Sequence, residues 1–127
     1  MKRRAGMLVV IALTAAPVRP ISAAETDRVV WKGTYMAPYD VAAECLAREM
    51  AGDFGGAAVM QDQPRSVQVR FWHDASRRGQ PVAHFHIRPS GDDRAEIGWR
   101  RGARLHDASR IDEAARTAAI ECGGRSA

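Results

Sequence analysis

The sequence predicts a two-layer α+β sandwich, in which an antiparallel sheet of about four strands carries two helices on one face. The first observation is a run of short extended segments separated only by turn residues, which is typical of an antiparallel meander. The second is a helical segment on each side of this run, in the order (β)-α-β-β-β-β-α. The third is a cysteine on the apolar stripe of each helix, Cys45 and Cys122, which predicts that both helices cover the same side of the sheet.

The chain enters this domain through a β-rich segment at 27–35, and the sequence leaves open whether that segment joins the sheet. Helical spacing of apolar residues then predicts the first helix over 41–50, and Gly52 is the first of three glycines that end it. The second helix is predicted over 109–122. There, Ser109 and Asp112 resemble a capping box with aspartate in place of glutamate.

The four extended segments are predicted at 57–61, 66–72, 82–88 and 95–101. In the last three, apolar and polar residues alternate, so one face of the sheet is apolar and the other is polar. Trp99 falls on the apolar face and is expected in the core, whereas Trp31 fits either face. The polar face, hereafter the open face, carries Gln68, Arg70, Trp72, His84, His86, Arg88, Glu96 and Arg100.

Cys45 and Cys122 are the two cysteines of the chain. An even cysteine count in a small exported domain indicates a disulfide, which would join the two helices. The alternative is a pair of free or metal-binding thiols. It is disfavoured because neither cysteine has a C-x-x-C partner or a histidine nearby in the sequence.

The N-terminus has the pattern of a cleavable secretory signal at 1–24. Three basic residues follow Met1, an apolar run of about a dozen residues comes next, and small residues precede Glu25. The run is shorter than the roughly 20 residues that span a bilayer, so no stable membrane span is expected after cleavage; an uncleaved anchor is the alternative. Residues 25–127 are then a single small domain. An arginine- and alanine-rich composition is typical of GC-rich bacterial genomes, so the expected location is periplasmic or secreted.

Removal of the signal also changes the charge balance. Lys2, Arg3, Arg4 and Arg19 leave with it, so 15 of the 19 basic residues remain against all 15 acidic ones. The net charge of +4 for the whole chain therefore gives no argument for nucleic acid as a partner.

A basic strip on the open face is the leading functional prediction. The candidate binding residues are Arg70, Trp72, His84, His86, Arg88 and Arg100. Guanidinium groups suit carboxylate, phosphate or sulfate, and an exposed tryptophan would add a flat apolar surface. We therefore expect a non-enzymatic binding module whose partner is another periplasmic or envelope protein, or an anionic ligand. The alternative is a solvated face whose polar residues simply avoid burial, with Glu96 paired to Arg88.

A metal-handling protein is the second functional prediction. His84 and His86 share one face of a strand and could hold one metal ion. The third ligand would be Glu96 on the next strand, or His73 or Asp74 at the turn. In a register that pairs residue 72 with residue 82, however, Arg70 lies opposite His84, and its charge would repel a cation. No metal site and no cofactor are therefore predicted in the leading interpretation.

Catalysis has little support in the sequence. The chain lacks the G-x-S-x-G nucleophile motif, and both cysteines lie on apolar helix stripes rather than beside a basic group. A hydrolase remains the alternative, and it would need a cleft beside His73 or His106.

Overall fold

A computed structural model describes residues 28–124 and confirms the α+β sandwich. Five strands and two helices follow one another in the expected order, with a short 3-10 turn at Ala51–Asp53 after the first helix. The elements are β1 (Arg28–Tyr35), α1 (Tyr39–Glu49), β2 (Gly56–Gln63), β3 (Ser66–Trp72), β4 (Ala83–Gly91), β5 (Arg94–Arg101) and α2 (Ala108–Gly123). The predicted signal at 1–24 lies outside the described residues. In the described part of the chain, no helix is long and apolar enough to cross a membrane.

The sheet has five strands rather than about four, because β1 joins it. β1 pairs antiparallel with β5, so the strand order across the sheet is β1-β5-β4-β3-β2. The last four strands form the expected meander. The register between β3 and β4 pairs Arg70 with His84. This is the simple register considered from the sequence, which alone leaves the register open. β5 therefore lies inside the sheet, with β1 on one side and β4 on the other.

The core lies between the helices and the apolar face of the sheet. Alternation along β3, β4 and β5 turns Phe71, Phe85 and Trp99 to this side, and all three are fully buried. The rings of Phe85 and Trp99 pack with their centroids 4.8 Å apart. The helices cover them with small or branched side chains, namely Ala42, Ala43, Leu46, Ile111, Ala115, Ala118 and Ala119. Alanines let the helices lie close to the large rings, which fill the layer.

Trp31 also lies on the helix side of the sheet. Its ring centroid is 6.3 Å from that of Phe85, and the guanidinium carbon of Arg116 in α2 lies 5.6 Å from the ring. The structure therefore settles which face of β1 contributes to the core.

The disulfide between Cys45 and Cys122 is confirmed and ties α1 to α2, with the two Cα atoms 5.6 Å apart. A bond of this kind is compatible with an oxidising, extracellular compartment.

The capping box predicted for Ser109 and Asp112 is wrong. The residue before the helix is Asp107, which adopts left-handed backbone angles (φ 56°) and makes no side-chain cap. Asp112 faces the sheet instead, where its Oδ1 accepts hydrogen bonds from Trp99 Nε1 at 2.7 Å and Arg101 Nε at 2.9 Å. Its Oδ2 accepts a further bond from Arg101 Nη2 at 3.0 Å. The carboxylate thus joins α2 to β5 instead of capping its own helix.

Candidate functional site

The open face lies opposite the helices and carries most of the predicted binding residues. Cross-strand pairing places Arg70, His84 and Arg100 in one row across β3, β4 and β5. In the next row His86 lies between Gln68 and Gly98. Arg88 pairs with Glu96 one row further on. Five of the six predicted side chains therefore share this surface.

Trp72 is the sixth, and the prediction that it offers an exposed apolar surface is wrong. It belongs to the same face of β3, but only 8 % of it is accessible to solvent. Its indole Nε1 donates to the backbone carbonyl of Gly79 at 3.1 Å, so the loop after β3 covers the ring. The same loop is anchored to the neighbouring edge, because Arg77 Nη1 donates to the carbonyl of Ala57. Trp72 therefore holds a loop in place and is removed from the candidate surface.

A depression of about 110 Å³ lies in the part of the open face nearest β1. Its floor is Gly98, which has no side chain and is flanked directly by Lys32 on β1 and His86 on β4. The residues that line this site, hereafter the Gly98 depression, are Val29, Lys32, His86, Arg88, Glu96, Gly98 and Arg100. The depression thus lies over a strand position that carries no side chain.

A β-bulge in β1 shapes one side of the depression. Val29 pairs with Arg100, but Trp31 pairs with Trp99, so Val30 is the extra residue between them. Because a bulge inserts one residue, it shifts which side chains point to each face. Val29 and Lys32 consequently both border the depression, although they are three residues apart.

The depression is more basic than acidic. Lys32, Arg88 and Arg100 line it, with Glu96 as the one lining carboxylate. Glu96 Oε1 accepts a hydrogen bond from Arg88 Nε at 2.9 Å, and the arginine is 55 % exposed. This is the pair that the alternative of a solvated face expects. An exposed pair of this kind contributes about 0–1 kcal/mol. The pair nevertheless holds the Glu96 carboxylate against Arg88.

The opposite half of the open face is linked by side-chain hydrogen bonds. Arg70 Nε donates to Gln68 Oε1 at 2.8 Å, and Gln68 Nε2 donates to Asp62 Oδ2 at 3.1 Å. Ser66 Oγ and His86 Nε2 lie 3.1 Å apart, and Asp62 Oδ2 is 3.8 Å from the same imidazole nitrogen. These contacts hold the Nε2 edge of the His86 ring, which faces β2 and β3, while His86 also lines the depression.

The surroundings of His86 lower the pKa of its imidazole below the ordinary value of about 6.5. Partial burial is the main cause, because it disfavours the charged form, and Arg100 adds to the effect. Asp62 opposes it, Arg88 adds a smaller lowering and Glu96 a smaller opposing effect. These surroundings therefore favour the neutral form of His86.

The arrangement around the two histidines does not resemble a metal centre or a catalytic triad. His84 has an arginine directly across from it on each side, Arg70 on β3 and Arg100 on β5, and both charges repel a metal cation. Within residues 28–124, no group of three or more His, Cys, Asp or Glu side chains could hold a metal ion. Ser66 and Asp62 approach the same nitrogen of His86, whereas a triad needs the carboxylate on the other one.

The histidines considered for a hydrolase also lie close together. The rings of His73 and His106 have their centroids 5.9 Å apart, and both side chains are exposed.

No protein-family model, curated protein or solved structure matches this chain. The function must therefore be argued from the site itself. Sequence reasoning missed Lys32 and Gly98 as site residues. For Gly98 a signal was present, because a glycine inside a strand often marks a close approach to a ligand or another backbone. Lys32 had no such local signal, because it reaches the depression only through the pairing of β1 with β5.

Proposed function

We propose that the chain is an exported binding module that holds a periplasmic or envelope protein through acidic side chains presented to its open face. The observation that carries this proposal is the charge of that face. Among residues 28–124, the fixed cations Lys32, Arg70, Arg88 and Arg100 share it with the carboxylates of Asp62 and Glu96. A domain of balanced overall charge thus has one surface with an excess of positive charge, which fits an acidic partner.

The build of the sheet supports this use. Arg70, Arg88 and Arg100 project from inner strands, which are paired on both edges and backed by a fully buried aromatic layer. Side chains on such elements are held more rigidly than side chains on loops, so less conformational entropy is lost when a partner binds. Arginine also pairs with carboxylates through two parallel hydrogen bonds.

Export is part of the proposal. The N-terminal pattern at 1–24 predicts a cleaved signal, and the disulfide between Cys45 and Cys122 is compatible with an oxidising compartment. A periplasmic partner would meet the domain after both events.

The test is affinity capture of the tagged mature protein from its own periplasm, followed by binding measurements with the purified captured protein. Arg70→Glu/Arg88→Glu reverses two charges on the open face. Arg48→Glu/Arg104→Glu is the matched control, because it makes the same charge change at exposed positions in α1 and in the loop before α2. We expect a stoichiometric partner whose affinity falls at least about 100-fold for the open-face variant and less than about twofold for the control. Equal affinity for the two variants, or no stoichiometric partner, would overturn the proposal.

A further inference from the structure

We propose that the Gly98 depression is an oxyanion subsite, in which a carboxylate or phosphate group lies between Lys32 and Arg100. The inference rests on the proposed function, because the partner bound at the open face would supply the anion. It deepens that function by naming the chemical group that the face would hold. Three observations carry it: the absence of a side chain at Gly98, the charges around the depression, and its size.

The shape of the depression is not required by packing. A Cβ atom built at Gly98 would meet nothing closer than 3.8 Å, and its nearest neighbour would be the flexible Lys32 side chain. Close packing therefore does not demand glycine here, although glycine inside a strand loses stability relative to other residues. Binding of a ligand in the space above Gly98 would explain why a glycine occupies this position, whereas packing within the domain does not.

The neighbours of Gly98 frame a space about one side chain wide. Lys32 and His86 lie directly across from it, about 5 Å away in a sheet. Glu96 and Arg100 lie two residues away along β5, at about 7 Å. A volume of about 110 Å³ admits a group of a few heavy atoms such as a carboxylate or a phosphate.

The charges select an anion. Glu96 is bound by Arg88, so its charge is offset on that side of the depression. Arg100 lines the other end of the depression, and Lys32 lies across from Gly98, between the two ends. Both side chains can donate charge-assisted hydrogen bonds to an oxyanion. The same cations would repel a metal ion. His86 adds an imidazole whose protonated form would strengthen the attraction.

The experiment is a ¹⁵N NMR titration of the exported protein with sodium phosphate and, separately, sodium acetate, at ionic strength held constant with sodium chloride. We expect saturable shifts of the amides of Lys32, Gly98 and Arg100. Lys32→Gln and Arg100→Gln should each weaken phosphate binding about tenfold. Gly98→Val should abolish binding, because it fills the gap and leaves every charge in place, and Gly98→Ala should give an intermediate loss. Gly52→Ala is the matched control, since a Cβ there meets nothing within 4 Å.

The two anions distinguish the sources. Phosphate binding at least about tenfold tighter than acetate binding would assign the subsite to a doubly charged group, and equal binding would assign it to a single carboxylate. Shifts that do not saturate, or that persist unchanged in Gly98→Ala and Gly98→Val with their native spectra retained, would overturn the subsite. Saturable anion binding without a captured partner would remove the proposed function alone. Partner capture without anion binding would remove the subsite alone.

Discussion

Opening the Cys45–Cys122 disulfide should destabilise the domain more than most single substitutions would. The bond joins the first helix to the last, and its cysteines are separated by 77 positions in the sequence. In the reduced chain, the unfolded state gains the conformational freedom that the cross-link removes. The native state should lose few contacts on reduction, because α1 and α2 remain packed on the same sheet face.

The magnitude follows from the length of the closed loop. For a separation of 77 residues, the chain-entropy relation gives about 4.5 kcal/mol at 25 °C. Domains of this size unfold with roughly 5–15 kcal/mol in total, so the loss is a large share of the stability. It corresponds to a decrease in Tm of roughly 20 °C for about 100 residues.

The assay compares urea unfolding of three proteins: the oxidised wild type, the wild type held in reductant, and Cys45→Ser/Cys122→Ser in both conditions. Reduced wild type and the double variant should lose similar free energies of unfolding, and reductant should not affect the double variant. The urea dependence of the unfolding free energy should rise in the reduced protein, because an unfolded chain without a cross-link exposes more surface. Equal midpoints for oxidised and reduced wild type would refute the reasoning.

Two further predictions concern single side chains. Asp112→Ala should lower the free energy of unfolding, measured in urea, by roughly 2–4 kcal/mol. It removes the carboxylate that accepts from both Trp99 and Arg101, and the side chains of the Arg101–Asp112 ion pair are less than one fifth exposed. Arg88→Ala, which breaks an exposed pair, should cost under about 1 kcal/mol, and equal losses for the two variants would contradict the assignment. His86 should make the stability of the domain depend on pH, because its pKa in the folded state lies below its value in the unfolded state. Its contribution to the free energy of unfolding is therefore complete above about pH 6.5 and is lost as the pH falls through the lowered pKa. The decrease in Tm between pH 7.5 and 5 should be smaller in His86→Gln, and an unchanged decrease would exclude His86 as its source.

The fold could be predicted from the sequence because its strongest signals are local. Alternation along β3, β4 and β5 fixes which side chains face the helices, and short turns between the strands fix an antiparallel order. The two cysteines then add one long-range constraint, which places both helices on the same face. β1 carries no such constraint, since its pairing with β5 joins residues 60 or more positions apart. The place of β1 in the sheet could therefore not be predicted from the periodicity of its apolar residues.

The candidate site was predicted less completely, because its shape depends on contacts between distant segments. Alternation correctly places Trp72 on the open face, but it cannot show that the loop after β3 folds back over the ring. The bulge that brings Val29 and Lys32 to the depression is likewise a feature of strand pairing. Asp112 was assigned to its own helix for the same reason, since its partners Trp99 and Arg101 lie on β5.

The oxyanion subsite and the lowered pKa of His86 together predict that anion binding and acidification oppose each other in their effects on stability. An anion beside His86 favours the protonated imidazole, so the bound state takes up the proton that the empty folded state resists. Acidification should then destabilise the empty domain and strengthen its affinity for the anion. Sodium sulfate suits the test because it does not titrate between pH 5 and 7.5. At saturating sulfate, the decrease in Tm over this range should be smaller than in chloride of equal ionic strength. His86→Gln should remove the difference between the salts, which separates this coupling from the general stabilisation that sulfate gives to folded proteins. An equal decrease in both salts for the wild type would show that His86 does not face the bound anion.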